Sequence, residues 1–134
     1  MRITCGTDII EVKRIQNSIE NFGSTFLNKI YTPFEIQYCK SKNNMQYQHF
    51  AARFAAKEAI FKALSHLLDD KYEIKWTDVE IFNSENGKPG VRFLNNKLRK
   101  IEQIDISMSH VKEYAIANCV IVSKWKVKKY GIFW

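Results

Sequence analysis

The stretch Phe50-Ala-Ala-Arg-Phe-Ala-Ala-Lys-Glu-Ala-Ile-Phe-Lys-Ala-Leu64 decides how this chain is read. Strong helix formers fill it, and the alanines at 51, 52, 55, 56, 59 and 63 let other backbone approach closely. Phe50, Phe54, Phe61 and Leu64 recur at helical spacing, which predicts a core stripe. This helix carries one conspicuous carboxylate, Glu58, with Lys62 one turn further on. A surface pair at that spacing contributes only about 0.2–0.5 kcal/mol, so by itself it says little.

The N-terminus changes the weight of that acid. Met1 to Val12 is an apolar, β-branched strand in which Gly6 permits a bend or a close backbone approach, and Asp8 is an acid inside a greasy run. An acid in such a place is a turn or cap residue, or it has a charged partner. One carboxylate from each of two elements, with water and substrate phosphate in the remaining positions, is how Mg²⁺ is usually held. Asp8 and Glu58 are therefore the candidate metal ligands.

Other segments place the remaining elements. Val12, Ile15 and Ile19 give a helix over about Ile10 to Ile19 an inner face, leaving Lys13 and Arg14 outward as a docking surface for an acidic partner. Thr32-Pro-Phe-Glu35 reads as a capping box with Pro at the first helical position, starting a second helix that fades in Ser41-Lys-Asn-Asn44. The long helix runs from about Gln46 to Leu68. Strands at about Tyr72 to Phe82 and Gly90 to Leu94 flank Asn83-Ser-Glu-Asn-Gly-Lys-Pro89, whose Asn-Gly pair is a hairpin signal and whose Lys88 adds positive charge to exposed turn backbone. Asn95 to Lys100 suits a helical turn. Ile106-Ser-Met-Ser-His110 is a strand ending in hydroxyls and an imidazole, and Tyr114 to Ser123 is the most regular buried strand. The fold class is α+β, an antiparallel sheet packed against one long helix.

Length and composition suit one core spanning residues 1–123, since 134 residues with 46% hydrophobic content contain no repeat or low-complexity linker. Residues 124–134 form a basic and aromatic extension. There, Lys124, Lys126 and Lys128 alternate with Trp125 and Val127, the pattern of a half-buried strand packed on the domain. Thr4, Asp8 and Glu11 interrupt the opening segment, so neither a secretory signal nor a membrane span is expected and the chain reads as cytoplasmic. Cys5, Cys39 and Cys119 are odd in number and widely spaced, which points to reduced thiols. A net charge of +7 favours anionic partners without choosing among nucleic acid, lipid, nucleotide and acidic protein. A nucleic-acid-binding module would leave Asp8 and Glu58 without a role, and a different Mg²⁺-dependent phosphoryl-transfer enzyme would use the same two acids.

Gly6-Thr-Asp-Ile-Ile-Glu-Val-Lys-Arg-Ile15, Arg53-Phe-Ala-Ala-Lys-Glu-Ala59 with Lys62-Ala63-Leu64, Asn86-Gly-Lys-Pro89 and Ser107-Met-Ser-His110 occur here in one order and spacing. From residue 3 to about 123 this chain resembles the phosphopantetheinyl transferase superfamily, in its short bacterial holo-acyl-carrier-protein synthase type. It departs at Ala52, where the family commonly has glycine, and at Ser65-His66-Leu67-Leu68, which replaces a glycine-containing turn and is expected to extend the helix. The resemblance implies a phosphopantetheinyl transferase-like fold and a homotrimer with sites between subunits. It implies Mg²⁺-dependent transfer of 4'-phosphopantetheine from coenzyme A to a serine of an acidic apo-acyl-carrier protein for fatty acid biosynthesis, with adenosine 3',5'-bisphosphate released; no nucleic acid or membrane partner is expected. Asp8, Glu58, Lys62 and His110 would be the catalytic residues, with Lys62 on the phosphates. Arg53, Asn86, Gly87, Lys88, Pro89, Ser109 and His110 would hold the nucleotide end. Glu58, directly or through water, and His110 are both candidates for the base that accepts the serine proton.

Overall fold

The computed structural model describes residues 1–68 and 74–124, together with the backbone of 128–129 and 132–133. Its chain order is β1 (Arg2–Glu11), α1 (Val12–Phe22), α2 (Ser24–Ile30), α3 (Pro33–Lys40), α4 (Gln46–Leu64), β2 (Val79–Asn83), β3 (Pro89–Phe93), β4 (Ile101–His110), β5 (Tyr114–Ser123), β6 (Lys128–Lys129) and β7 (Ile132–Phe133). Strands β1, β5 and β4 form an antiparallel sheet in that order, and β2 with β3 forms a separate hairpin. The expected α+β architecture, a sheet packed on one long helix, is what the chain adopts.

Small side chains let α4 lie directly on the sheet. Ala55, Ala56, Ala59, Ile60 and Ala63 are fully buried against the inward positions of β5 and β4, among them Ala117, Cys119, Ile121 and Ile106. Gly6 is the closest approach: a Cβ there would stand 2.0 Å from the Ala59 carbonyl oxygen, so β1 crosses α4 where only glycine fits. A second cluster around Val12, Ile15, Leu27, Tyr31 and Phe50 packs α1 and α2 beneath the N-terminal half of α4. The long helix is thus covered on nearly every side, and Phe54, Glu58, Phe61 and Lys62 are left on its partly open stripe.

Several boundaries differ from the sequence reading. β1 continues through Ile10 and Glu11, paired with Ala115 and Tyr114, so α1 begins at Val12 instead of Ile10. Gly23, with φ of 54°, turns the chain into α2, a seven-residue helix too short to show a clear period. The long helix stops at Leu64 instead of Leu68. Ser65 Oγ donates to the Lys62 carbonyl and Leu67 N–H bonds back to Leu64, so a local turn with a side-chain competitor replaces the expected extension. The strand expected from Tyr72 begins at Val79, after a single helical turn over Trp76–Asp78, while Tyr72 and Glu73 lie outside the described residues. Conversely β4 begins earlier, at Ile101. The core stripe also divides: Phe50 and Leu64 are buried, whereas Phe54 and Phe61 are half-buried and pack on the Trp76 ring with centroids 5.1 Å away.

The capping box at Thr32 is present, with Glu35 N–H donating to Thr32 Oγ1 and Thr32 N–H to Glu35 Oε1. All three cysteines are free thiols; burial pushes Cys39 and Cys119 up to about 12. Among the described residues no helix is long and apolar enough to cross a membrane. The packing expected of the tail through Trp125 and Val127 falls on residues outside those described; β6 and β7 pair with each other over two residues apiece.

Candidate active site

Asp8 and Glu58, 50 positions apart in sequence, meet where β1 crosses α4. Asp8 alternates toward the helix in β1, and Glu58 stands on the open stripe of α4. Lys62 Nζ donates to Asp8 Oδ1 at 3.2 Å and to the Thr7 carbonyl at 2.9 Å, so the lysine bridges strand and helix. Burial first, and then the charge of Asp8, raise the Glu58 carboxyl above the ordinary carboxylate range, with Lys62 opposing. Two acids close enough to repel, half-screened by one lysine, form a site that favours a cation. No group of three or more metal-ligating side chains exists among the described residues. Two carboxylates are nevertheless the protein share of a Mg²⁺ site completed by substrate phosphates, so the donor set fits that ion.

Clefts open on both sides of this cluster. Glu58 lines one of about 840 Å³ with Lys29, Phe61, Leu64 and Trp76. Lys62 lines another of about 630 Å³ with Thr7, Ser65, His66 and Asn118. An extended ligand with an anionic group at Lys62 and an apolar arm along the aromatic wall would match the pair.

A second constellation occupies another side of the same helix. Arg53 and Glu58 are five positions apart on α4, which places them about 140° around its axis. Arg53, Asn83, Gly87, Pro89 and His110 line a recess of about 150 Å³. Four of the seven residues expected at a nucleotide end, Arg53, Gly87, Pro89 and His110, are thereby brought together. The other three are elsewhere. Asn86 clasps its own turn, its Oδ1 accepting from Lys88 N–H and from Ser84 Oγ; Lys88 is exposed at the tip; Ser109 faces the opposite side of the sheet. Asn83 takes the place expected of Asn86, accepting from an Arg53 terminal nitrogen at 2.7 Å. Tyr38 and His49 complete the wall, and the Gln48 amide oxygen lies 2.9 Å from His110 Nδ1. Sequence inspection passed over these residues because they gain meaning only from the way α3, α4 and the hairpin converge; the i,i+4 spacing of His49 and Arg53 was the one available signal.

Another missed feature supports both sites. Lys57, the neighbour of Glu58, is fully buried and donates to Glu35 Oε1, the Ile30 carbonyl and the Trp76 carbonyl at 2.6, 2.7 and 3.0 Å. Glu35 Oε2 accepts from Ile81 N–H, tying β2 to the same node. Lys13 and Arg14 are exposed on α1, and Lys13 lines a surface groove of about 460 Å³ with Gln16, Tyr47 and Lys112.

This small α+β domain, with paired acids beside a lysine and a separate cationic recess, has the make-up of an enzyme acting on a phosphorylated substrate. Comparison with known proteins makes that specific: the sequence profile of the 4'-phosphopantetheinyl transferase superfamily matches residues 4–119, and the chain belongs to that family. It is 44% identical to the holo-[acyl-carrier-protein] synthase of Halothermothrix orenii over 120 residues, 86% of this chain and 93% of that protein. It is 42% identical to that of Ruminiclostridium cellulolyticum over 127 residues, 90% and 92% of the two chains. The crystal structure of the Bacillus anthracis synthase in complex with CoA (3',5'-ADP) is 32% identical and superposes with a TM-score of 0.75, covering 90% of this chain and 96% of that one. A Helicobacter pylori synthase in complex with coenzyme A, 29% identical, gives a TM-score of 0.75 over 88% and 99%.

Proposed function

We propose that the chain transfers the 4'-phosphopantetheine group of coenzyme A to a serine hydroxyl of an apo-acyl-carrier protein, in a Mg²⁺-dependent reaction that releases adenosine 3',5'-bisphosphate and serves fatty acid biosynthesis in the cytoplasm. The convergence of Asp8, Glu58 and Lys62 between two clefts carries this reading, and relatives of that activity support it. Attack at a pyrophosphate phosphorus builds charge on the nonbridging and leaving oxygens. Lys62 meets that charge as a point cation. Asp8 and Glu58 would hold Mg²⁺, which when bound supplies charge neutralisation at the pyrophosphate. Glu58, directly or through water, is the first candidate to accept the serine proton as the bond to phosphorus forms, and His110 is the second. Arg53, Asn83 and His110 hold the nucleotide end, and Lys13 and Arg14 face the acidic carrier.

The two constellations lie far round α4 from each other, which supports a site assembled from two copies. The outer face of the sheet supports self-association as well: Ile3, Ile9, Tyr114, Ile116 and Val120 are between 39% and 63% exposed there. A homotrimer meets both requirements. The direct test is intact-mass analysis of an apo-carrier protein after incubation with the chain, Mg²⁺ and coenzyme A. A phosphopantetheine adduct is expected, and an unmodified carrier would overturn the assignment.

A further inference from the structure

The recess around Arg53 holds a charge without a counter-charge. Arg53 is 1% exposed, and its guanidinium carbon lies 4.1 Å from the Tyr38 ring centroid. Its Nε has no hydrogen-bond partner, and no carboxylate stands within ion-pair distance of it among the described residues. A guanidinium buried that way is costly unless the space beside it receives an anion. That space, about 150 Å³, is the size of a cavity that accepts a single ring. It has room for one phosphate group.

His49 borders this space by construction. With Ala52 and Arg53 it occupies positions i, i+3 and i+4 of α4, one face of the helix. Its ring stands edge-on to His110, centroids 5.1 Å apart, and edge-on to Tyr38 at 5.9 Å. The groups around it are Tyr38 from α3, Lys42 from the loop that follows, Arg53 from its own helix and His110 from the end of β4. None is an acid.

We propose that His49 acts with Arg53 and His110 as the anion-binding group of this recess, taking up a proton from solvent as the phosphomonoester at the nucleotide end of coenzyme A enters. The inference rests on the activity proposed above. Burial, followed by the charges of His110, Arg53 and Lys42, lowers the free imidazole to about 4, so at neutral pH the empty recess holds a neutral ring. An incoming dianion faces the same cations, relieves their repulsion and favours the imidazolium. If the ring only packs between Tyr38 and His110, phenylalanine fills its place without consequence.

Calorimetric titration of the full chain near pH 6.5, in buffers of differing ionisation enthalpy, counts the protons taken up on binding. With coenzyme A the wild type should take up more protons than His49→Phe or His49→Gln, and affinity in both variants should drop roughly tenfold. With 3'-dephospho-coenzyme A the three proteins should agree, because the phosphate is missing. Equal proton uptake by wild type and variants with coenzyme A would overturn the role of His49 and leave the proposed activity standing. Failure of the wild type to bind coenzyme A at all would overturn both.

Discussion

Glu58 shows how a single carboxyl is tuned by its position: half out of water on α4 and beside a second acid, it binds a proton more readily than an ordinary glutamate. Asp8→Asn and Glu58→Gln should each lower the rate of phosphopantetheine transfer by about 10²-fold or more, because each removes a carboxylate proposed to hold the Mg²⁺ that offsets charge at the reacting phosphates. Stability should move by less than about 1 kcal/mol in Asp8→Asn, since its ion pair is with a Lys62 that is 54% exposed. A quenched-flow or mass assay of transfer beside urea unfolding checks both, and unchanged rates in either variant would remove that acid from the site. His49 makes a pH-dependent case. Its folded value of about 4 lies below the ordinary 6.5, so between those values the unfolded chain binds more protons than the native one. Native stability is therefore fully present above about pH 6.5 and is lost as pH falls toward 4. Urea midpoints at pH 7 and 4.5, measured without ligand, should fall further in wild type than in His49→Phe. Residue types in the sequence singled out Asp8 and Glu58 as candidates, and the family resemblance added Lys62 and His110. His49 and Asn83 stayed hidden because their meaning depends on distant partners: Tyr38 of α3 and His110 of β4 stand against His49, and Arg53 of α4 donates to Asn83.

At the scale of elements, local signals were legible wherever local chemistry decides the outcome. The Thr32 capping box, the Asn86-Gly87 turn with φ of 84° at Gly87, and the alanine-rich α4 were all readable before any coordinates. The end of α4 was not, because a serine bonding back to the carbonyl of Lys62 competes with helix continuation in a way that composition does not reveal. Nor was the burial of Lys57, whose position in a Lys-Glu pair suggests a solvated cation. That lysine joins α4 to the end of α2, to Trp76 and, through Glu35, to α3 and β2. Burial holds its ammonium below the ordinary lysine range, with Glu35 working in the opposite direction. Glu35→Gln should destabilise the fold by about 3–5 kcal/mol, since it leaves a fully buried ammonium without its counter-charge. The urea midpoint should fall with little change in slope. A loss below about 1 kcal/mol would show that Lys57 sheds its proton at little cost and that the node is not what positions Glu58.

For the whole molecule, a net charge of +7 favours anionic partners, and the function proposed above would use cations in two places, at the phosphates and on α1. Arg14→Glu sets like charge against an acidic carrier, so its KM for carrier should rise steeply while coenzyme A affinity stays near that of wild type, and the wild-type KM should rise with salt. Equal losses toward both substrates would move Arg14 from a docking role to the cofactor site or the fold. A homotrimer is an expectation from family resemblance alone, because periodicity reports which face of a strand is apolar and not what covers it. The outward Ile9–Ile116 and Cys5–Val120 pairs of β1 and β5 leave apolar side chains exposed, and the function proposed above has the two constellations on α4 act on one substrate. If neighbouring copies meet so that the acids of one face the recess of the next, Asp8→Asn and His110→Ala subunits damage opposite halves of each site. Either variant alone should be nearly inactive. Co-expressed in equal amounts, they should recover up to about a quarter of wild-type activity, the share of interfaces that random pairing leaves with two intact halves. Native mass spectrometry would confirm that mixed oligomers had formed. Mixed trimers with no recovered activity would place the acids and the recess of each working site on one chain.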